Sequence, residues 1–301
     1  MSTSSSMVST MGAIAVVMAL VAGVETLIPL RARDAWSRRH LAPNLLLTVI
    51  TFATNAAFNV ALVALLRWQE TSGLGLLNVV APSPLVATAA VVLTLDFAFY
   101  VAHVAMHASP ALWRYHRVHH SDPVVDVTTT IRQHPGEGVI RYLFMAAGAS
   151  AIGAGPGAFA VYRAWSALNG LLEHANVRVP ARLDALLAWV VTTPNMHKVH
   201  HSRRREETNS NYGNIFSLFD RCFRTFTPTV RGTSVPYGLD GFDDRRMQTI
   251  VGLLALPYRA DLQNRQVGDT RRTRAAACSA RLRSPRSVGE STASTTSSCV
   301  S

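Results

Sequence analysis

Residues 85–107 read LVATAAVVLTLDFAFYVAHVAMH. From Leu85 to Met106 the run is apolar apart from a few small polar residues, Asp96 and His103. Because a helix rises about 1.5 Å per residue, roughly 20 residues cross the ~30 Å hydrocarbon core of a bilayer. The stretch therefore predicts a membrane-spanning helix that carries ionisable side chains.

Two similar apolar runs precede it, Met11–Leu30 and Leu45–Leu66. The chain is 49% hydrophobic and 16% charged, and its mean hydropathy is +0.17. Three such runs so early in the chain favour three spans over the buried helices of a soluble protein. The first run does not read as a signal peptide, because residues 1–10 contain no basic side chain and no clear cleavage site follows.

The connections between the runs orient them. Four arginines lie in the first connection, at positions 31, 33, 38 and 39, whereas the only charged residue of the second connection, Trp68–Pro84, is Glu70. The positive-inside rule then places the first connection and the end of the third span, near His107, in the cytoplasm.

A fourth apolar stretch, Val139–Leu172, is interrupted by Gly153–Gly157, which reads GAGPG. Each arm is about 15 residues, or about 22 Å as a helix, which is short for a full crossing. We expect a helical hairpin that dips into the bilayer and returns to the cytoplasm. A single tilted span is the alternative.

Histidine is the residue type that indicates chemistry. All of the 11 histidines except His40 lie between residues 103 and 201. Positions i, i+3 and i+4 share a helix face, so each group is expected to aim two or three imidazoles at one point. The candidate metal ligands are His103, His107, His116, His119, His120, His134, His174, His197, His200 and His201. His134 is the doubtful one, because Pro135 disfavours helix before it.

Asp96 and Tyr100 lie on the same face of the third span as His103 and His107, within a stripe of about 60°. A carboxylate in a membrane helix needs a partner, and a ligating imidazole usually donates its second N–H to one. Asp96 and Tyr100 are therefore the candidate catalytic residues, although a plain interhelical hydrogen bond would also explain Asp96.

The number of histidines favours two metal ions, since one catalytic zinc takes three protein ligands. Imidazole ligation suits iron, zinc or copper and does not choose among them. The zinc-protease motif H-E-x-x-H is absent, so two irons that activate dioxygen are preferred.

These motifs resemble the sterol desaturase/fatty acid hydroxylase superfamily. The resemblance covers roughly residues 20–258. It rests on D-F-x-x-Y-x-x-H-x-x-x-H from Asp96, H-R-V-H-H-S at 116–121, R-x-H-P-x-E at 132–137, E-H-A-N at 173–176, T-P-N-M-H-K-V-H-H-S at 193–202, N-Y-G-N at 211–214 and F-D-R at 219–221.

The resemblance implies an all-α fold: an integral membrane bundle of three spans plus the hairpin, with a cytosolic helical cap carrying a histidine-rich di-metal site. It further implies two non-haem irons, dioxygen as co-substrate, and oxidation of a C–H bond in a lipid such as a fatty acyl chain or sterol. Hydroxylation and desaturation both remain open. No nucleotide-binding motif is present, so electrons must come from another protein, of the ferredoxin or cytochrome b5 type.

Two departures from the family pattern stand out. Arg224 replaces the glycine of W-D-R-x-F-G-T, and residues 259–301 resemble nothing in the family. We expect residues 1–258 to form the membrane-embedded domain, with its histidine core at 96–227. Residues 259–301 are expected to be a disordered basic tail, because they hold few apolar residues.

Other functions fit less well. The net charge of +11 is partly in the tail, and its arginines are not interleaved with aromatic residues, which argues against nucleic acid. Three single cysteines form no C-x-x-C pair. A membrane metal transporter and a lipid-binding family member without catalysis remain the alternatives. Iron content and dioxygen consumption distinguish them from the enzyme.

Overall fold

The structure is a computed structural model that describes residues 3–32 and 39–259, with side chains from residue 11 onward. The arginines at 33 and 38 lie outside the described residues, and so does the predicted tail apart from Arg259. The described chain folds into α-helices and short 3-10 helices. The α-helices are α1 Thr3–Leu27, α2 Leu41–Thr71, α3 Leu76–Val80, α4 Pro84–Ala108, α5 Pro110–His120, α6 Pro135–Ile152, α7 Pro156–His174, α8 Ala181–Leu187, α9 Pro194–His200, α10 Arg205–Thr208, α11 Leu218–Cys222 and α12 Ile250–Ala255. The 3-10 helices are Val127–Ile131, Thr229–Thr233 and Leu256–Tyr258.

Proline sets the start of the helices that carry histidines, and of α6 as well. A proline has no N–H to lose in the first turn and its fixed φ already suits a helix. This explains why α4, α5, α6, α7 and α9 each begin at a proline: Pro84, Pro110, Pro135, Pro156 and Pro194.

The predicted spans are helical. Two segments, Leu41–Val80 and Pro84–Ala108, are long and apolar enough to cross a membrane, and Met11–Leu27 is a shorter apolar helix. Their outward faces are apolar, as Val49 and Leu85 show with exposures of 66% and 80%. Such surfaces suit lipid better than water.

The stretch predicted as a hairpin forms two helices. Gly153, with φ 73°, ends α6 in the left-handed region. Helix α7 runs back along it, since Arg163 of α7 contacts Met145 and Tyr142 of α6. The arms have 18 and 19 residues, or about 27 Å, so they are longer than the sequence suggested. A Cβ on Gly75 would lie 2.3 Å from the Cα of Gly153, so the turn touches the loop that follows α2. The hairpin therefore reaches the far end of α2, and the single tilted span is wrong.

Helix α4 lies at the centre of the bundle, packed against α5, α6 and α7. Its buried side chains Val91, Val92 and Leu95 share one core with Tyr142 of α6 and Tyr162 of α7. Because α4 ends in His103 and His107, this packing holds one end of the candidate site at a defined height in the bundle.

A buried polar network supports the segment after α5. His40 lies 3.2 Å from Asp122 and 3.3 Å from Asp126. Burial lowers the pKa of His40, but the two carboxylates outweigh burial and raise it to about 10. The guanidinium of buried Arg132 donates to Asn44 Oδ1 at 2.7 Å and to Val118 O at 3.0 Å. His40, the one histidine outside the motifs, therefore has a structural role.

Candidate metal centre

Nine of the ten predicted ligands gather into two groups, all of them buried except the half-buried His107, and within each group the candidate ligand atoms lie within 4.8 Å of one another. Cluster A consists of His103 and His107 from α4, His116 and His120 from α5, and His200 from α9. Cluster B consists of His119 from α5, His174 from α7, His197 from α9, and His201 directly after it.

Each H-x-x-H-H motif contributes to both clusters. In α5 the first and last histidines, His116 and His120, join cluster A, while His119 joins cluster B. In the second motif, His197 and His201 join cluster B and His200 joins cluster A. Each motif therefore aims two of its three imidazoles at one point, as expected, and the third at the other cluster. At about 100° per residue, positions i and i+4 differ by about 40°, but i+3 and i+4 differ by about 100°.

The nitrogen spacings fit metal ions. In cluster A, His116 Nε2 lies 3.0 Å from His103 Nε2 and 3.1 Å from His120 Nε2. In cluster B, His174 Nε2 lies 3.0 to 3.2 Å from the Nε2 atoms of His119, His197 and His201. Ligands about 2.0–2.1 Å from one ion are separated by roughly 2.9–3.4 Å. Neutral imidazoles whose Nε2 atoms meet at one point cannot all be joined by N–H hydrogen bonds. A cation at each centre therefore explains the convergence better than hydrogen bonding does.

Burial also keeps these imidazoles in the form that binds a metal. It is the main cause that lowers the pKa of every cluster histidine in the two H-x-x-H-H motifs, and neighbouring histidines contribute in most of them. The pKa of His200 is lowered to about 4. Neutral imidazole is the ligand form, so ion binding requires no loss of a proton from these rings.

Every imidazole of cluster A has an acceptor near its other nitrogen, Nδ1. With Nε2 directed at the cluster, Nδ1 carries the proton, and such partners fix the orientation of a ligand. The acceptors are Tyr212 O for His103 at 2.8 Å, Asn209 Oδ1 for His107 at 3.2 Å, Glu137 Oε1 for His116 at 3.0 Å, Thr208 Oγ1 for His120 at 3.4 Å and Ser210 O for His200 at 2.7 Å.

Cluster B is supported differently. Only His174 has an acceptor for Nδ1, Gly170 O at 2.8 Å. The Nδ1 atoms of His119, His197 and His201 are buried and have no hydrogen-bond partner in the described part of the chain. Glu173 Oε1 lies 3.8 Å from both His174 Nδ1 and His197 Nε2, too far for a hydrogen bond.

The clusters adjoin each other. The rings of His120 in cluster A and His201 in cluster B stack with their centroids 4.7 Å apart. The centroids of His119 and His120 are separated by 5.5 Å. Two ions held by these groups would therefore share one centre.

His134, the tenth predicted ligand, is in neither cluster. Its Nδ1 accepts a hydrogen bond from the N–H of Gly136 at 2.9 Å, so its side chain caps α6. Its ring lies 5.3 Å from that of Tyr115. We infer a structural role, consistent with the extended backbone that Pro135 requires of the residue before it.

The two predicted catalytic residues contact protein rather than the clusters. The Asp96 carboxylate accepts the backbone N–H groups of Ile215 and Phe216, each at 3.0 Å, and it has no hydrogen bond to an imidazole among the described residues. The Tyr100 hydroxyl lies 2.9 Å from Thr225 Oγ1. The expected orienting role therefore falls to Glu137, and Asp96 anchors the chain at 215–216 to α4.

Several residues that hold the cluster histidines in place cannot be identified from the spacing of the histidines alone. Asp220 accepts the backbone N–H of Tyr212 at 2.8 Å, and so holds the carbonyl that meets His103. Lys198 is buried between ligands of α9, and its Nζ donates to Ala175 O at 2.6 Å, which ties α9 to the end of α7. Burial lowers the pKa of Lys198 to about 7. Glu137, Asp220 and Lys198 all lie within motifs of the family resemblance, which is the one signal that marks them.

The described residues form a helical bundle with two imidazole clusters, each of which could hold a metal ion. Residues 88–225 match the fatty acid hydroxylase family, which confirms the resemblance seen in the sequence. An ornithine lipid hydroxylase of Rhizobium tropici is 32% identical over 146 residues, which are 48% of this chain and 43% of the relative. An alkylglycerol monooxygenase of Caenorhabditis elegans is 30% identical over 146 residues, 48% of this chain and 28% of the relative.

A second alkylglycerol monooxygenase, from Xenopus tropicalis, is 32% identical over 149 residues, 49% of this chain and 31% of the relative. The chain thus matches less than half the length of these curated relatives. All are named as oxidoreductases that act on lipids. No solved structure matches the chain significantly.

Proposed function

We propose that this protein is a non-haem di-iron enzyme that uses dioxygen to hydroxylate an unactivated C–H bond of a lipid. The observation that carries the proposal is the convergence of five and four imidazoles on two adjoining points. The names of the relatives support oxygen insertion over desaturation.

Iron is favoured over zinc by the chemistry that the relatives perform. The imidazole set accepts either metal, but zinc has no redox chemistry. Two iron ions, when bound, would supply the redox chemistry by which dioxygen reacts with a C–H bond. The nine clustered histidines would hold the ions, and Glu137, which accepts from His116 Nδ1 at 3.0 Å, would orient that imidazole.

The chain also forms the place for the substrate. One cavity is lined by members of both clusters, His103 from A and His119, His174 and His197 from B. Apolar side chains such as Phe99, Met145 and Leu171 line the same cavity. A hydrocarbon chain in it would lie beside both clusters, and the burial of the clusters keeps bulk water away from the reacting carbon.

The reaction needs an external reductant. Hydroxylation consumes one dioxygen, two electrons and two protons, and yields the alcohol and one water. Since the chain shows no nucleotide-binding motif, an electron-transfer protein of the ferredoxin or cytochrome b5 type is proposed as donor.

The proposed setting is a multi-pass membrane protein. Residues 1–258 would form the membrane-embedded domain, with α1, α2 and α4 as spans, the α6–α7 hairpin between them, and both clusters at the cytoplasmic end. Positive charge in the first connection supports this orientation. A cysteine introduced at 178 should label from the cytoplasm and one at 155 should not. Labelling of 178 only from outside would contradict this topology.

Iron content and product mass test the function directly. Purified protein should hold two irons per chain, consume dioxygen when reduced, and add one oxygen atom to a lipid. Loss of two hydrogen atoms without a gain of oxygen would show desaturation instead. A metal transporter would bind metal without consuming dioxygen, and a lipid-binding protein without catalysis would yield no product. The burial of both clusters at one end of α4 disfavours transport, whose sites usually lie near mid-bilayer between repeats.

A further inference from the structure

Helix α7 has two faces of opposite character. Val161, Trp165, Leu168 and Leu172 project outward, with exposures between 41% and 48%. The opposite face lines the cavity, in the order Arg163, Ser166, Gly170 and His174. A helix whose inner face runs from a guanidinium to a metal-ligand candidate presents a charged end and a reactive end to one ligand.

Arg163 has no carboxylate partner in the described part of the chain. Its Nη1 lies 3.9 Å from Met145 Sδ, and its guanidinium carbon lies 5.5 Å from the ring centroid of Tyr142. The other cavity-lining arginine, Arg141, is already paired with Glu137 Oε1 at 2.9 Å. Glu173, a cavity-lining carboxyl, is ten residues further along α7, roughly 15 Å away. The positive charge of Arg163 is therefore uncompensated.

A second unused donor lies beside it. The hydroxyl of Tyr142 is buried and has no hydrogen-bond partner among the described residues, and Tyr142 lines the cavity with Arg163. Buried polar groups normally have partners. An ionisable side chain inside a membrane helix bundle that faces a cavity also indicates a ligand.

We propose that Arg163, assisted by the Tyr142 hydroxyl, binds the anionic group of an amphiphilic substrate, a carboxylate or a phosphate. This inference rests on the proposed lipid oxidation and narrows its substrate class. A sterol, which has no anion, does not fit. Arg163 precedes His174 by eleven residues, roughly 16 Å along the helix. Oxidation is therefore expected at a carbon remote from the anionic group.

Binding tests the proposal without turnover. The purified metal-loaded protein in neutral detergent is titrated with palmitate, palmitoyl lysophosphatidate and hexadecanol, each displacing a fluorescent lipid. Wild type should bind at least one anionic probe more tightly than hexadecanol. Arg163→Gln should weaken that anion about 10- to 100-fold, as for hydrogen bonds to charged groups, and leave hexadecanol unchanged. Whether palmitate or lysophosphatidate is preferred identifies the anion.

Two controls keep the result interpretable. Arg182→Gln changes an exposed arginine of α8 and should change no affinity. If Arg163→Gln fails to retain metal, Arg163→Lys and Tyr142→Phe are measured in its place. Both are expected to keep part of the anion affinity, so the loss should be smaller. Equal affinity of wild type for hexadecanol and both anions would overturn the proposal. So would unchanged anion affinity in Arg163→Gln, or a product hydroxyl on the carbon next to the carboxylate. Absence of any oxidised product from the metal-loaded protein would instead count against the enzyme function, because the binding measurement requires no turnover.

Discussion

Clusters A and B use the same ligand chemistry but are held in different ways. Cluster A has five imidazoles, each with an acceptor for Nδ1. Cluster B has four, and three of its Nδ1 atoms have no partner among the described residues. Cluster B also contributes three of the four histidines that line the cavity.

This difference indicates that the two clusters have different roles. Partners that fix Nδ1 hold a ligand in one orientation before any ion arrives, so cluster A is preorganised. Cluster B would depend more on a bound ion for its order, and it adjoins the cavity where a substrate would lie. The comparison predicts that cluster A tolerates the loss of a ligand better, whereas cluster B controls turnover.

The largest effect is expected from removing a ligand of cluster B. His174→Ala leaves three imidazoles there, so the protein should retain about one iron per chain. Turnover should fall by more than about 100-fold, because even changes outside the ligand set cost about 10–100-fold. The matched variant His107→Ala leaves four imidazoles in cluster A and should keep more metal. Metal analysis that finds equal losses in both variants would remove the distinction between the clusters.

The next effect concerns the partners of Nδ1. Glu137→Gln weakens the acceptor at His116, so metal affinity at cluster A should fall about 10–100-fold while cluster B is unchanged. Glu173→Gln is the matched control, because Glu173 lies 3.8 Å from its nearest imidazole nitrogens. Competition with a chelator should resolve two classes of site. A larger loss in Glu173→Gln would show that the support of cluster B has been underestimated.

Asp96→Asn should change stability and leave both clusters loaded. The amide group of Asn cannot accept both N–H groups of residues 215 and 216, and one unpaired buried donor costs about 1–3 kcal/mol. The thermal unfolding temperature should therefore fall at unchanged iron stoichiometry. Weaker iron binding at normal stability would restore the orienting role expected from the sequence.

A smaller change is expected at Arg224, where family members have glycine. Arg224 has φ 61°, a left-handed conformation that costs a non-glycine residue about 1–2 kcal/mol. Arg224→Gly should relieve that strain and raise the free energy of unfolding by about 1 kcal/mol, after the greater entropy of glycine in the unfolded chain is deducted. Denaturant unfolding measures the change, and Arg221→Gly, at a helical position, should destabilise. A destabilised Arg224→Gly would show that its side chain matters more than its backbone.

Much of this arrangement was predictable from local pattern. Apolar runs of about 20 residues located α2 and α4, and the glycines near 153 located the hairpin turn. Grouped histidines located nine members of the clusters, whose role as metal ligands stays a prediction. Each of these features depends on residues close together in the chain, where helical geometry alone relates them.

The rest depends on contacts between distant segments. Which histidines of a motif join which cluster depends on how α5 and α9 face each other. The spacing of histidines along the chain does not predict that orientation. Asp96 was matched to the nearest imidazoles on its own helix, whereas its partners lie about 120 residues away at Ile215 and Phe216. The length of the hairpin arms was underestimated because α6 begins at Pro135 and α7 ends at His174, both beyond the apolar run Val139–Leu172.

The smallest effect is expected from removing the tail, and the structure sets where the cut should fall. Arg117, between the ligands of α5, donates from Nη2 to Leu256 O at 2.6 Å and to Arg259 O at 2.7 Å. Because α5 supplies ligands to both clusters, a chain that ends before Leu256 should lose metal from both. A chain that ends after Arg259 keeps these carbonyls and should retain both irons and full turnover, since residues 260–301 contain no histidine. Loss of iron from the longer truncate would show that the tail supports the centre and that the predicted domain boundary at residue 258 is wrong.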